Sequence, residues 1–176
     1  SGLARELGAI NLGQGFPDDQ GPPELIEAAA RALREQSNQY PPGSGLPELR
    51  DAICSFYARR QGLALAREQV IVTSGATEGI ADAVLALVSA GDEVILFQPA
   101  YDAYAPMVRR AGGLPVSVPL APPHWRYRAE DLARAISPKT RLVMFNDPLN
   151  PAGTAASREE LAMLAEACVA HDLTVI

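Results

Sequence analysis

Three short stretches place small, hydroxylated, aromatic or amide residues just where an apolar run ends. TSGATEGI, Thr73 to Ile80, follows Val70-Ile71-Val72 and runs into a helical pattern. A strand that ends in Ser74-Gly75-Ala76-Thr77 and passes directly into a helix presents amide N–H groups without intrahelical acceptors at the positive end of the helix dipole. Such a turn can hold an anion. Gly75 permits close backbone approach, and the Ser74 and Thr77 hydroxyls add donors with little bulk. An ordinary helix cap uses the same residue types, so this stretch alone leaves both readings open. It lacks the Gly-Lys-Ser/Thr of a nucleotide phosphate loop, and its glycines are spaced GxxxG rather than GxGxxG. In NDPLNPAGT, Asn146 to Thr154, the two asparagines are polar groups positioned by prolines 148 and 151, with Asn150 between those prolines. A turn accounts for the prolines and glycine there but does not require the asparagine. In FQPAYDAY, Tyr101 lies just past the apolar run Glu93 to Phe97, where an aromatic can stack on a flat ring or simply fill a core.

These residues need elements to position them, and the apolar periodicity supplies a set. Ile26, Ala29, Ala30 and Leu33 mark one face of a helix over Pro22 to Gln36, with prolines suited to its first turn. A second helix runs from Pro47 to Gln61 with Leu49, Ile53, Phe56 and Tyr57 inward and Gly62 as its stop signal. Between them NQYPPGSGLPELR is a Pro- and Gly-dense loop. After Arg67, short apolar runs alternate with helices: strands at Val70 to Thr73, Glu93 to Phe97, Leu114 to Val118, Arg141 to Phe145 and from Leu173, and helices to Val88, from Asp102 to Ala111 and from Arg128 to Ile136. Ser157 and Glu160 form a capping box that opens a last helix to Ala170. Alternation of this kind implies an α/β fold, a mostly parallel sheet with helices on both faces. All three chemical stretches then fall at the carboxyl ends of strands, the edge where open α/β sheets bind ligands.

Composition narrows the function classes. The chain has 176 residues, is 48% hydrophobic and 20% charged, and carries a net charge of -6. That is enough length for a real core. The acidic balance argues against the phosphate-backbone attraction of nucleic-acid binders. No apolar stretch approaches the length of a membrane span, and the first residues lack a signal peptide's pattern. Cys54 and Cys168 show no metal or CxxC spacing, which suits a reduced, cytoplasmic compartment. The chain starts at Ser1 and stops within the apolar run Leu173-Thr174-Val175-Ile176, so a polypeptide that is incomplete at its C-terminus is expected.

INLGQGFPD, NQYPPGSGLPELR, TSGATEGI, GDEVILFQPAYDAY and NDPLNPAGT occur in the order and approximate spacing of the class I/II aminotransferases, the pyridoxal-phosphate enzymes of fold type I. The resemblance covers Ile10 to Ile176 and is greatest to the branch with kynurenine and methionine aminotransferases. It implies that Gly75, Ala76 and Thr77 hold the phosphate of pyridoxal 5'-phosphate, that Tyr101 stacks on the pyridine ring, and that Asn150 hydrogen-bonds the ring's phenolic oxygen beside the substrate. It further implies that Gly15 lies near the substrate carboxylate and that Tyr40 reaches the phosphate of the neighbouring subunit, hence a homodimer. Residues 1–45 would form an N-terminal arm and first helix, and 46–176 the N-terminal part of the cofactor-binding large domain. The small C-terminal domain would be absent. By the same resemblance the Schiff-base lysine, the aspartate facing the pyridine nitrogen and the arginine for the substrate carboxylate lie outside this sequence, leaving no catalytic residue to assign.

The implied reaction exchanges an amino group between an L-amino acid and a 2-oxo acid. Carbon-sulfur lyases of the same fold share these loops and remain an alternative, as does a non-catalytic fragment. A dinucleotide-binding domain is disfavoured by the missing glycine fingerprint. Lys139, the sole lysine, sits in a Ser-Pro-Lys-Thr turn ahead of a strand, at the opposite edge from the candidate site. His124 and His171 lack paired ligand spacing, so no metal is expected. Asp18-Asp19 and Glu159-Glu160 read as solvated neighbours, and Arg109-Arg110 as the basic end of a helix. Trp125 either borders a substrate entrance or packs within its loop.

Overall fold

The computed structural model describes residues 2–13, 15 and 19–176. The chain divides into two compact units, Ser1–Leu46 and Pro47–Ile176. In the first, α1 (Gly2–Glu6) and α2 (Pro23–Glu35) contain no buried residue. α2 begins with proline, whose missing N–H costs nothing in a first turn. Its expected inward residues Ile26 and Leu33 are 45% and 66% exposed. Those residues are not inward: no described element of this unit covers them.

The second unit opens with α3 (Pro47–Gln61), a 3-10 turn (Arg67–Gln69) and α4 (Gly75–Leu87). Then come β1 (Glu93–Gln98), α5 (Tyr104–Arg110), β2 (Leu114–Pro119), α6 (Ala129–Ala135), β3 (Thr140–Met144), α7 (Arg158–Ala170) and β4 (Thr174–Val175). All strand pairs are parallel, in the order β2-β1-β3-β4. Alternation of side chains along the strands feeds two cores. Ile95, Phe97 and Val143 pack with Leu132 of α6 and Leu164 and Cys168 of α7. Val94, Leu96, Leu142 and Met144 pack with Val84 of α4 and Val108 of α5. Helices therefore cover both faces, as the alternating pattern implied, and each fully buried aliphatic contributes roughly 1.5–3 kcal/mol.

Two expectations fail. Val70 to Thr73 is not a strand. Its backbone is extended at Val70 (φ -115, ψ 126), but no described strand pairs with it. Arg50 of α3 bonds this segment instead, donating from Nε to the Val70 carbonyl at 2.8 Å and from Nη2 to the Arg67 carbonyl at 2.6 Å. Leu49, Phe56 and Tyr57 of α3, expected to face inward, are 45%, 49% and 39% exposed. A tight spot tests the α5–β2 turn: a Cβ on Gly113 would lie 2.6 Å from Val88 Cγ1 and 3.1 Å from Val108 Cγ1. A larger residue there would force the Val88 side chain to move.

Candidate active site

The chain passes from β1 outward to β2, then returns through α6 to β3 on the other side of β1. The strand order reverses between β1 and β3, and such a switch point opens a crevice at the carboxyl edge. The loops after β1 and β3 emerge on either side of it. α4 reaches the same edge. Residues 88–92 join its C-terminal end to the amino end of β1, and Val84 and Val88 pack beside Val94 and Leu96. Its 13 residues span about 20 Å at 1.5 Å each, and the six of β1 span about 20 Å at 3.3 Å each. Running back along β1, α4 is therefore long enough to carry its first turn to the carboxyl edge.

Gly75, with φ +80, adopts the left-handed backbone that opens α4, and Ser74, Gly75, Ala76 and Thr77 are all exposed. The Thr73 hydroxyl donates to the Gly75 carbonyl at 3.0 Å. The Ser74 N–H donates to the Glu78 carboxylate one turn on. Sequence reasoning passed over Glu78; its signal was an acid four residues after the cap. Tyr101 follows β1 and is 42% exposed, with its ring edge-on to Tyr104 at 5.7 Å and 66°. Burial raises the Tyr104 phenol, and the neighbouring Tyr101 adds to the effect. Asn150 is exposed. Its N–H donates to Asn146 Oδ1 at 2.8 Å, and the Ala156 N–H donates to Asp147 Oδ1 at 2.7 Å.

Beside these loops lies a recess open to solvent and bordered by Tyr104, Asn146, Asp147, Trp125, Tyr127 and Glu160. Trp125 has a left-handed backbone (φ 53) and packs against the β1–β3–α7 core. The capping box forms as expected, with Ser157 N–H on Glu160 Oε2 at 2.8 Å and Glu160 N–H on Ser157 Oγ at 3.2 Å. Glu160, read from the sequence as a solvated neighbour of Glu159, is instead buried and ion-paired with Arg126. A carboxylate that caps a helix and meets a guanidinium keeps its partners when buried. Tyr127 donates to the Glu160 carbonyl at 2.6 Å, and burial pushes its phenol up to about 12.

The other sequence-derived candidates belong to other elements. Gly15 and Tyr40 belong to the first unit, both exposed, Tyr40 at 98%. Lys139 precedes β3, and its carbonyl accepts the Glu93 N–H at 2.8 Å, which puts it at the amino edge. Arg109 and Arg110 occupy the last turn of α5, and His171 the C-cap of α7. Asp18 lies outside the described residues. Asp19 accepts the Gly21 N–H at 2.9 Å.

A parallel sheet with helices on both faces and a switch point between β1 and β3 is the architecture of a ligand-binding α/β domain. The chain belongs to the class I and II aminotransferase family, whose model matches residues 8–176. The solved structure of N-succinyldiaminopimelate aminotransferase from Mycobacterium tuberculosis superposes with a TM-score of 0.94 at 48% identity, over 99% of this chain and 46% of that one. Methionine aminotransferase of Escherichia coli is 42% identical over 100% of this chain and 46% of its own length. Kynurenine–oxoglutarate transaminase 3 of Rattus norvegicus is 36% identical over 99% and 41%. The chain thus spans less than half the length of these relatives.

Proposed function

We propose that the whole protein is a pyridoxal-phosphate-dependent aminotransferase that exchanges an amino group between an L-amino acid and a 2-oxo acid. The observation that carries this reading is the family match over residues 8–176, supported by the Tyr101 and Asn150 loops leaving the adjacent strands β1 and β3 at the point where the strand order reverses. When bound, the cofactor supplies an electron sink for the substrate's amino carbon. This chain's residues hold and orient. Gly75, Ala76 and Thr77 take the phosphate with first-turn amides and a hydroxyl. Tyr101 covers one face of the pyridine ring, and its half-exposed ring, held edge-on by Tyr104, suits that task. Asn150 donates its side-chain amide to the ring's phenolic oxygen. Gly15 and Asn150 border the substrate, and Tyr40 reaches the phosphate of the second subunit in a cytoplasmic homodimer.

Glu78 bears on the fit. Its carboxylate occupies the Ser74 N–H, so a phosphate at this turn relies on the following amides or displaces it. The relatives' names span succinylated, sulfur-containing and aromatic donors, and the donor is accordingly left as a class. The test is to incubate the whole protein and cofactor with aliphatic, sulfur-containing and aromatic amino acids plus 2-oxoglutarate. Glutamate formed in step with the donor's 2-oxo acid is the expected result. Pyruvate and a thiol released without any added 2-oxo acid would mean a carbon-sulfur lyase instead.

A further inference from the structure

The β3 ladder stops at Met144, and the Phe145 N–H still reaches a neighbouring backbone, the Ile176 carbonyl, at 2.8 Å. From Asn146 onward the chain leaves the sheet, so its amides need other acceptors. Two consecutive side chains supply them. Asn146 Oδ1 accepts the Asn150 N–H at 2.8 Å, and Asp147 Oδ1 accepts the Ala156 N–H at 2.7 Å. Inside that frame the Leu149 N–H donates to the Thr154 carbonyl, and the Gly153 N–H to the Leu149 carbonyl, both at 2.7 Å. Leu149, 9% exposed, is sunk in the core, while its neighbour Asn150 is exposed. The loop is anchored by one apolar side chain and two polar ones, and Asn150 directly follows the buried Leu149.

We propose that Asn146 is a positioning residue: by accepting the Asn150 N–H on Oδ1, it fixes the backbone from which Asn150 presents its side-chain amide to the ring oxygen of the cofactor. The inference rests on the cofactor role proposed for Asn150. Asn146 acts as a substitute sheet neighbour, ending the strand and starting the functional loop with a single carboxamide. A side-chain acceptor four residues back holds Asn150 without occupying the face that must stay open. Asp147 closes the far end of the same loop and has no bond to Asn150, so its loss reaches Asn150 only through the loop.

The test compares Asn146→Ala, Asn146→Gln, Asn146→Asp and Asn150→Ala in the whole protein. The readouts are cofactor dissociation constant, the visible absorption band of the bound cofactor, and amide hydrogen exchange at Asn150. Asn146→Ala is expected to speed Asn150 exchange at least about 10-fold. It should also weaken cofactor binding by about 3- to 10-fold, the effect of one net hydrogen bond, and shift the band in the direction that Asn150→Ala does. Asn146→Gln, which keeps polarity but moves the acceptor by a methylene, should behave like Asn146→Ala and serves if that variant fails to fold. Asn146→Asp keeps an acceptor in place and should restore slow exchange. Faster exchange in Asn146→Ala or Asn146→Gln with an unchanged band and affinity would overturn the positioning role while leaving the reading of Asn150 intact. An unchanged band and affinity in Asn150→Ala would overturn that reading and this inference together.

Discussion

Residues 93–176 and residues 2–73 both carry regular apolar periodicity, yet they dispose of it differently. In the first region two cores form on either side of a four-stranded sheet, one of them completed by Val84 of α4 and Val88 at its C-cap. In the second, Val70 is the single described apolar residue that is buried. The contrast shows what periodicity encodes. A stripe at helical spacing states which face of a helix is apolar; whether anything covers that face depends on chain elsewhere. The strand-helix alternation from β1 to β4 carries its own cover, because every crossover helix lies against the sheet its flanking strands build.

Substitutions can break or sharpen that contrast. The largest effect is expected from Ile95→Ala, which opens a hole in a side chain of 0% exposure and should cost about 2–5 kcal/mol in urea unfolding. Ile26→Ala, at 45% exposure, should cost less than about 1 kcal/mol, since only part of the transfer energy is at stake. Equal losses at the two positions would erase the distinction. Next, Glu160→Ala removes the acceptor of the Ser157 N–H and the partner of Arg126, and about 1–3 kcal/mol should be lost because buried groups are left unmatched.

Tyr127 predicts a pH dependence. Its folded pKa of about 12 lies above the ordinary 10.0, so the native state holds the phenolic proton more tightly than the unfolded chain. The stabilisation is fully present below pH 10 and is lost as the pH rises toward 12. Tyr127→Phe should flatten that loss when stability is followed across this window, and wild type and variant falling in parallel would refute the assignment. The smallest change is expected from Asp51→Asn. Asp51 pairs with Arg67 at 2.5 Å in the open, and solvent screens such pairs. Its unfolding midpoint should barely move and should lose what sensitivity to salt it has.

Much of this organisation was legible from residues alone. Strand and helix positions from Glu93 onward follow from short β-type runs and glycine or proline punctuation, and the Ser157–Glu160 box was explicit. The segment at Val70 to Thr73 misled because a strand is defined by its partner, and Arg50 supplies side-chain donors where a ladder was expected. Glu160 misled because adjacent acids suggest solvent; its burial depends on Arg126, 34 positions away. Of the candidate site, Tyr101 and Asn150 were visible as unusual residues past apolar runs that are strands, and TSGATEGI as a glycine-rich helix start whose preceding run is not one. Asn146 was visible as a second placed asparagine but not its bond to Asn150, and Tyr104 and Glu78 were not visible, since each acts on a neighbouring residue and has no chemistry of its own to announce it.

The central claim is that the first turn of α4 receives the cofactor's phosphate. A crystal structure of the whole protein with pyridoxal phosphate tests it most directly. The account predicts phosphate oxygens within about 2.7–3.2 Å of the Ala76 and Thr77 amides, with the Glu78 carboxylate withdrawn from the Ser74 N–H. Phosphate bound elsewhere, with Glu78 still capping Ser74, would contradict it.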